Sequence, residues 1–327
     1  MSTSDTHQRI VTEPDLGGRR SAPPRVTSCP FTGRLGMWTA LREHRPQPRP
    51  KRQLLAADPS SCPFCRYADD DPRLLPEEAT RDGQRWYGVH NIYPPIDGPT
   101  GRADLAVATE HDPTLTHLYD GLTSDWATML AVQQLLVARR PDRWSMVSAA
   151  TGRTAGASQH HPHGHVLTPA VVPAATIVQQ QRWAEPGTAS TLLADPVTVA
   201  EDHGVRLVAP LVPLGPLDLL LVPTGSQRFL DVDPDVVARL LVRWVVGVHG
   251  LVDPEPELPT TVAPFDAKVV LHPELPDGTG RWWGELAVTD RHAPGVAAVP
   301  LVDVRFPPEV HAERFRTACG VPADGRG

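Results

Sequence analysis

The sequence predicts an α+β protein: antiparallel strands with helices packed on one face, in an arrangement that occurs twice. Three observations predict it. Strand-like apolar runs bracket a capped helical segment at 123–137, and the same order returns between residues 205 and 272. LAVATEH (105–111) answers to LLVPTGS (220–226), and HGHVLTP (163–169) answers to AKVVLHP (267–273), which suggests an internal duplication. A chain of 327 residues holds one large domain or two of about 150 residues each.

Taken in order, residues 1–27 are polar, with GGRR and APP, and are expected to form a disordered arm. A short strand is expected around Met37–Leu41. The basic, proline-rich REHRPQPRPKRQ that follows should be extended and irregular. WYGVHNIYPPI (86–96) reads as a strand ended by paired prolines, and ADLAVAT (103–109) as its partner. Thr123, Ser124 and Asp125 offer N-cap chemistry to a helix whose Trp126, Met129, Leu130, Leu136 and Val137 share a face. WSMVSAA (144–150) is a further strand, followed by the glycine-bearing loop TGRTAGAS and a strand in HVLTP. In the second half, 205–215 and 217–225 form a strand pair. Residues 233–248 form a helix capped by Asp233, with Pro234 in its first turn. TTVAPF and AKVVLHP supply two more strands. The boundaries expected are 1–27 for the arm, 28–175 for the first half and 176–327 for the second.

Composition narrows the partners. The formal charge is −7, the pI is about 6.0, and no long Lys/Arg run suggests nucleic acid as a partner. No apolar stretch approaches the roughly 18–20 residues needed to span a bilayer. The first residues lack the apolar centre of a secretory signal, so a cytoplasmic protein is expected. Of the four cysteines, only Cys62 and Cys65 form a close pair, in SCPFC. A redox pair usually opens a helix behind a buried strand, whereas this one sits in polar, loop-like surroundings. Half a metal site is the better account, provided two further ligands exist.

The chemistry concentrates in SQHHPHGHVLTP (158–169), where His160, His161, His163 and His165 fall within six positions. On an extended segment His161, His163 and His165 point the same way. Three rings buried merely as packing would each risk about 1–3 kcal/mol in unpaired polar atoms. A three-histidine metal site is one account, although ligands at i, i+2 and i+4 of a flat strand splay apart. Nucleophilic attack on phosphorus is the other. A neutral imidazole can take up a phosphoryl group and pass it on. That chemistry needs one tautomer, donors for the phosphoryl oxygens and help for the leaving group. Gly152 and Gly156 let loop N–H groups approach closely, Ser158 adds a hydroxyl, and His165 adds an ionisable donor.

S-x-x-H-P-H-G-H resembles the S-x-x-H-P-H-x-Q motif of galactose-1-phosphate uridylyltransferases, a branch of the histidine-triad superfamily. The resemblance runs from about residue 29 to about 290. CPFTGRLGMWTALREHRP resembles the family's N-terminal segment, with Arg42, Arg45 and Pro46 matching R-x-x-R-P. SCPFC matches its CxxC. NIYPPI matches the segment that packs on base and ribose, at Asn91 and Tyr93. EHDPTL matches the segment bearing a zinc-binding histidine, at His111.

The resemblance implies two histidine-triad-like halves, the second of them degenerate. It implies a structural Zn2+ on Cys62, Cys65, His111 and His161, a closed Cys2His2 set. It also implies a nucleophile at His163, with Ser158 and loop amides on the phosphoryl oxygens. The substrates implied are a nucleotide or nucleotide-sugar and a phosphorylated small-molecule acceptor, such as a sugar phosphate. A homodimer is implied too, with Arg42 and Arg45 approaching the partner's site.

The chain departs from the pattern in four places. His165 stands where the transferases carry glutamine; histidine there is typical of the superfamily's hydrolases and can protonate a leaving group. Ala150-Thr151 replaces Asn-Lys and removes a charge, which Arg153 is the candidate to restore. AKVVLHPEL holds only His272 against the family's H-x-H-F-Y-P-P, although Glu285 in RWWGEL matches a sugar-contacting glutamate. Ile92 replaces an acidic residue near the ribose, which leaves the base open. A nucleotidyltransferase is the leading expectation. A phosphohydrolase or phosphorylase of nucleoside polyphosphates or nucleotide conjugates is the alternative, and a zinc-stabilised binding protein the third.

Overall fold

The computed structural model describes residues 25–28, 35–38, 59–66, 72–91, 94–111, 123–152, 155, 157, 159, 161–183, 185, 187–213, 215, 217–251, 265–289, 301–304 and 307–321. Arg42, Arg45, Ile92, Tyr93, Arg153, Gly156, Ser158, His160 and most of TTVAPF lie outside them.

Ten strands form one antiparallel sheet. The first five are β3 (Leu74–Arg81), β4 (Gln84–His90), β5 (Gly101–Ala108), β6 (Met146–Thr151) and β7 (His163–Pro169). The last five are β8 (Thr198–Asp202), β9 (Val205–Val208), β10 (Leu219–Pro223), β11 (Asp266–His272) and β12 (Trp283–Thr289). Their order across the sheet is β3-β4-β5-β7-β6-β11-β12-β10-β9-β8. Each set thus runs first-second-third-fifth-fourth from its outer edge, and the two meet where β6 pairs with β11, with Val270 opposite Ser148.

A small second sheet joins β1 (Arg25–Ser28), β2 (Leu35–Trp38) and β13 (Leu301–Val304), with β13 parallel to β2. Residues 25–27, assigned from sequence to a loose arm, therefore belong to a paired strand. The strand expected at 37–41 begins earlier, at Leu35.

Helix α1 (Thr123–Ala138) bridges β5 and β6, and α4 (Pro234–Leu251) bridges β10 and β11. The Asp233 carboxylate accepts a 3.0 Å bond from the Asp235 N–H, which caps α4. Both helices pack on the same face of the sheet and against each other. Helix α1, wedged between strands and α4, buries residues all around, including Gln133 and Thr128. Trp86, Trp244, Trp282 and Phe265 belong to the continuous core beneath. Helix α5 (Pro308–Cys319) lies alongside α4.

Not every helix lies on that face. Helices α2 (Ala174–Trp183) and α3 (Thr188–Leu192) cover the opposite side of the last strands. Trp183 and Leu192 cluster there with Val208, Leu220, Val222 and Trp283. The expectation of helices on one face fails because these strands are apolar on both sides, and burying the second side is favourable by roughly 25 cal/mol per Å².

Candidate active site and metal centre

The open face of the first five strands is set by alternation. Register places Tyr87, Val107 and His163 in one row. Val89, Leu105, His165 and Ser148 form the next. Gly164, between the two histidines, faces α1, where an added Cβ would meet Gln133 Nε2 at 2.3 Å. Gln133 uses that closeness: its side-chain N–H donates to the carbonyls of Ser148 at 3.0 Å and His165 at 3.3 Å. One buried amide therefore fixes the two strands that carry the histidine row. Sequence reasoning missed Gln133 and Gly164; the signal was the glutamine pair Gln133-Gln134 in an otherwise apolar stretch of α1.

Cys62 and Cys65 lie in a loop laid over the same face, packed through Phe64 onto Val89, Leu105 and Val107. Cys62, Cys65, His111 and His161 converge, with one ligand atom from each lying within 4.8 Å of the others. His161 Nε2 donates to the Ala108 carbonyl at 2.6 Å, which turns Nδ1 toward the thiols, 3.6 Å from Cys62 and 3.4 Å from Cys65. His111 Nδ1 lies 3.2 Å from Cys65 Sγ. Tetrahedral zinc with bonds of about 2.0–2.3 Å separates its ligands by roughly 3.3–3.8 Å. The three thiol–imidazole distances of 3.6, 3.4 and 3.2 Å come close to that range, so the four residues could hold such an ion. Burial pushes His161 down to about 4, leaving its Nδ1 lone pair free at neutral pH.

Two residues on, His163 is buried, and its Nδ1–H donates to the His161 carbonyl at 2.8 Å. That bond selects the tautomer with a lone pair on Nε2. Burial, and then His165, hold His163 down at about 4. The His165 ring meets it edge-on, with centroids 5.1 Å apart, and Phe64 packs 5.1 Å from its other side. Burial, and then the charge of Lys268, lower His165 as well. Both rings are thus neutral bases near pH 7, on one face and adjacent.

The other residues named from sequence are distributed around this pair. Asn91 follows β4, its N–H on the Ala103 carbonyl at 3.2 Å, one row beyond His165. Gly152 opens the glycine loop with φ +81° and accepts from the Ala157 N–H at 3.1 Å. Its missing Cβ matters, since a Cβ would come within 1.9 Å of the Asp266 carboxylate. Glu285 shares the open face and the row of His165 but stands three strands away, roughly 14 Å at normal strand spacing. Sequence reasoning also missed Ser148 and Lys268, whose position on this face follows only from register.

No protein-family model matches the sequence, and no curated protein sequence is similar to it. Solved structures do match. An ADP-glucose phosphorylase from Arabidopsis thaliana with bound ADP-glucose aligns with TM-score 0.65 and 17% identity, over 90% of this chain and 98% of that one. A galactose-1-phosphate-uridylyltransferase-like protein from the same plant gives 0.64 and 16%, with the same coverage. A uridylyltransferase gives 0.58 and 18%, again over 90% and 98%. Across nearly its whole length, this chain shares the fold of these three structures.

Proposed function

We propose that the protein is a nucleotidyltransferase that works through a covalent nucleotidyl-His163 intermediate. The observation that carries this is the His163 tautomer: Nδ1 is committed to the His161 carbonyl, which leaves Nε2 as the attacking atom. In the first half-reaction Nε2 forms a bond to the α-phosphorus of a nucleotide or nucleotide-sugar, and the P–O bond to the departing phosphate group breaks. In the second, an oxygen of a phosphorylated acceptor, such as a sugar phosphate, takes the nucleotidyl group and the P–N bond breaks. Ser158, Gly152, Gly156 and Arg153 are assigned to the phosphoryl oxygens, Asn91 and Tyr93 to the nucleoside, and Glu285 to the sugar side. Cys62, Cys65, His111 and His161 would hold a structural Zn2+, fixing the Cys loop and Phe64 against the nucleophile.

The mirrored strand order supports two histidine-triad-like halves descended from one. A cytoplasmic homodimer, with Arg42 and Arg45 serving the partner's site, completes the proposal. Among the described residues no helix is long and apolar enough to cross a membrane.

Incubation with ADP-glucose or UDP-glucose labelled at the α-phosphorus should leave an acid-labile, base-stable label on the protein. His163→Ala should remove the label and lower turnover on the order of 10⁴-fold. Label surviving that change would refute the assignment.

One observation favours a second reading, hydrolysis or phosphorolysis of nucleotide conjugates: His165, not an amide, adjoins the nucleophile. His165→Gln decides between them. A transferase keeps its turnover, while an enzyme that needs an acid at 165 loses about 10²–10⁴-fold.

A further inference from the structure

We infer that Lys268, on the first strand beyond the β6–β11 seam, is an anion-binding residue of the His163 site, reaching a substrate phosphate across Ala150. The inference rests on the open face being a phosphate-handling site.

Register carries it. Lys268 pairs with Ala150, and Ala150 lies one position beyond the last recorded β6–β7 pair, Ala149 with Gly164. The next position along β7 is His163, so His163, Ala150 and Lys268 line one row. Two strand spacings, roughly 9–10 Å, separate the ends of that row. Between them stands only a methyl group, over which a four-carbon stem can lean.

Lys268 is exposed, while its strand neighbours Ala267 and Val269 are buried beneath it. Among the described residues it has no ion pair. The carboxylate two positions back, Asp266, is turned under Gly152. Lys268 is close enough to act electrostatically on His165. A free ammonium beside two neutral imidazoles on a half-open face is where anionic oxygens would be drawn. Ala150 and Thr151 bring no charge to this part of the sheet, and the registered neighbour of Ala150 on β11 supplies one.

The test measures binding and labelling together. Inorganic pyrophosphate is titrated calorimetrically into the full-length wild-type protein, Lys268→Ala, Lys268→Arg and the exchange variant Lys268→Ala/Ala150→Lys, at low and moderate salt. Labelling by α-labelled ADP-glucose and UDP-glucose is timed on the same proteins. Lys268→Ala should weaken pyrophosphate about 10- to 100-fold and flatten its salt dependence. Lys268→Arg should keep most of the affinity, and moving the lysine across the row should restore part of it.

Labelling with wild-type rate and unchanged pyrophosphate affinity in Lys268→Ala would overturn this inference and leave the covalent mechanism intact. Lysine-dependent pyrophosphate binding without label would do the reverse. A wild-type protein that neither binds pyrophosphate nor takes label overturns both.

Discussion

The same face of the same sheet is used in two ways. In the first five strands, β7 presents His163-Gly164-His165, with both rings on a face left partly open. In the last five, the strand in the corresponding place is β12, and there Trp283-Gly284-Glu285 occupies the same three steps. Both glycines face neighbours too close for a Cβ, Gly164 against Gln133 and Met129, Gly284 against Leu271 and Leu221. Trp283 then takes the place of His163. It is sealed under Trp183 and Leu192 and stacked on His272 at 3.9 Å. One topology thus yields a half-open histidine row where the covering layer is a small cysteine loop, and a packed interior where it is two helices. What separates them is the layer laid over each set: the Cys62–Cys65 loop, which precedes the first, or α2 and α3, which precede the second.

The strongest way to break this comparison is to open the sealed side. Trp283→Ala empties a fully buried site and should cost about 3–5 kcal/mol, lowering Tm by roughly 5–15 °C. Labelling of His163 at temperatures below the transition should not change. A calorimetric scan paired with the labelling assay reads both. Loss of label in a folded Trp283→Ala protein would mean that the sealed side takes part in the chemistry.

A smaller effect concerns a depressed imidazole outside the histidine row. His311, on α5, is buried, donates from Nε2 to the Asp218 carbonyl at 3.0 Å, and is held at about 4 by that burial. Unfolding frees it to bind a proton anywhere between about 4 and its ordinary 6.5. Its contribution is therefore complete above about pH 6.5 and drains away as pH falls toward 4, on the order of 3 kcal/mol in all. His311→Gln keeps a donor without a titration. Denaturant unfolding between pH 4 and 7 should then show a shallower loss of stability on the acid side, with neutral-pH labelling unchanged.

The smallest effect sharpens the comparison at the two glycines. Gly164→Ala and Gly284→Ala should each cost about 1–3 kcal/mol by overpacking. Only Gly164→Ala should also slow labelling, because it displaces the amide that holds the carbonyls of Ser148 and His165. Equal labelling rates in the two variants would show that Gln133 serves packing alone.

The sequence showed the elements with strong periodicity. Helices α1 and α4 start where Thr123 and Asp233 suggest, and β5 and β10 align as LAVATEH and LLVPTGS propose. It paired the wrong strands at the end of each set, however. HGHVLTP was matched to AKVVLHP, whereas topology gives the place of β7 to β12, because the shared Leu and Pro outweighed an alternation hidden by two tryptophans. Edge strands β3 and β8 escaped notice, since LLPEEATR carries a proline and two glutamates and TVAED is short. Helices α2 and α5 were missed for lack of a clear cap. The cluster of Cys62, Cys65, His111 and His161 was legible because the motifs around these residues already suggested a shared set of ligands. Lys268 was not, because a residue more than a hundred positions away becomes a neighbour only through register.

The β6–β11 seam carries a consequence for any attempt to divide the chain. A fragment ending near residue 175 would bare β6 as a long strand with unanswered N–H and C=O groups, beside the histidines. Such an edge recruits another strand, and a second copy of the fragment is the nearest source. The two sets of strands would then come apart as sticky pieces rather than as independent folds, with the second set acting as the splint that keeps the histidine-bearing one single.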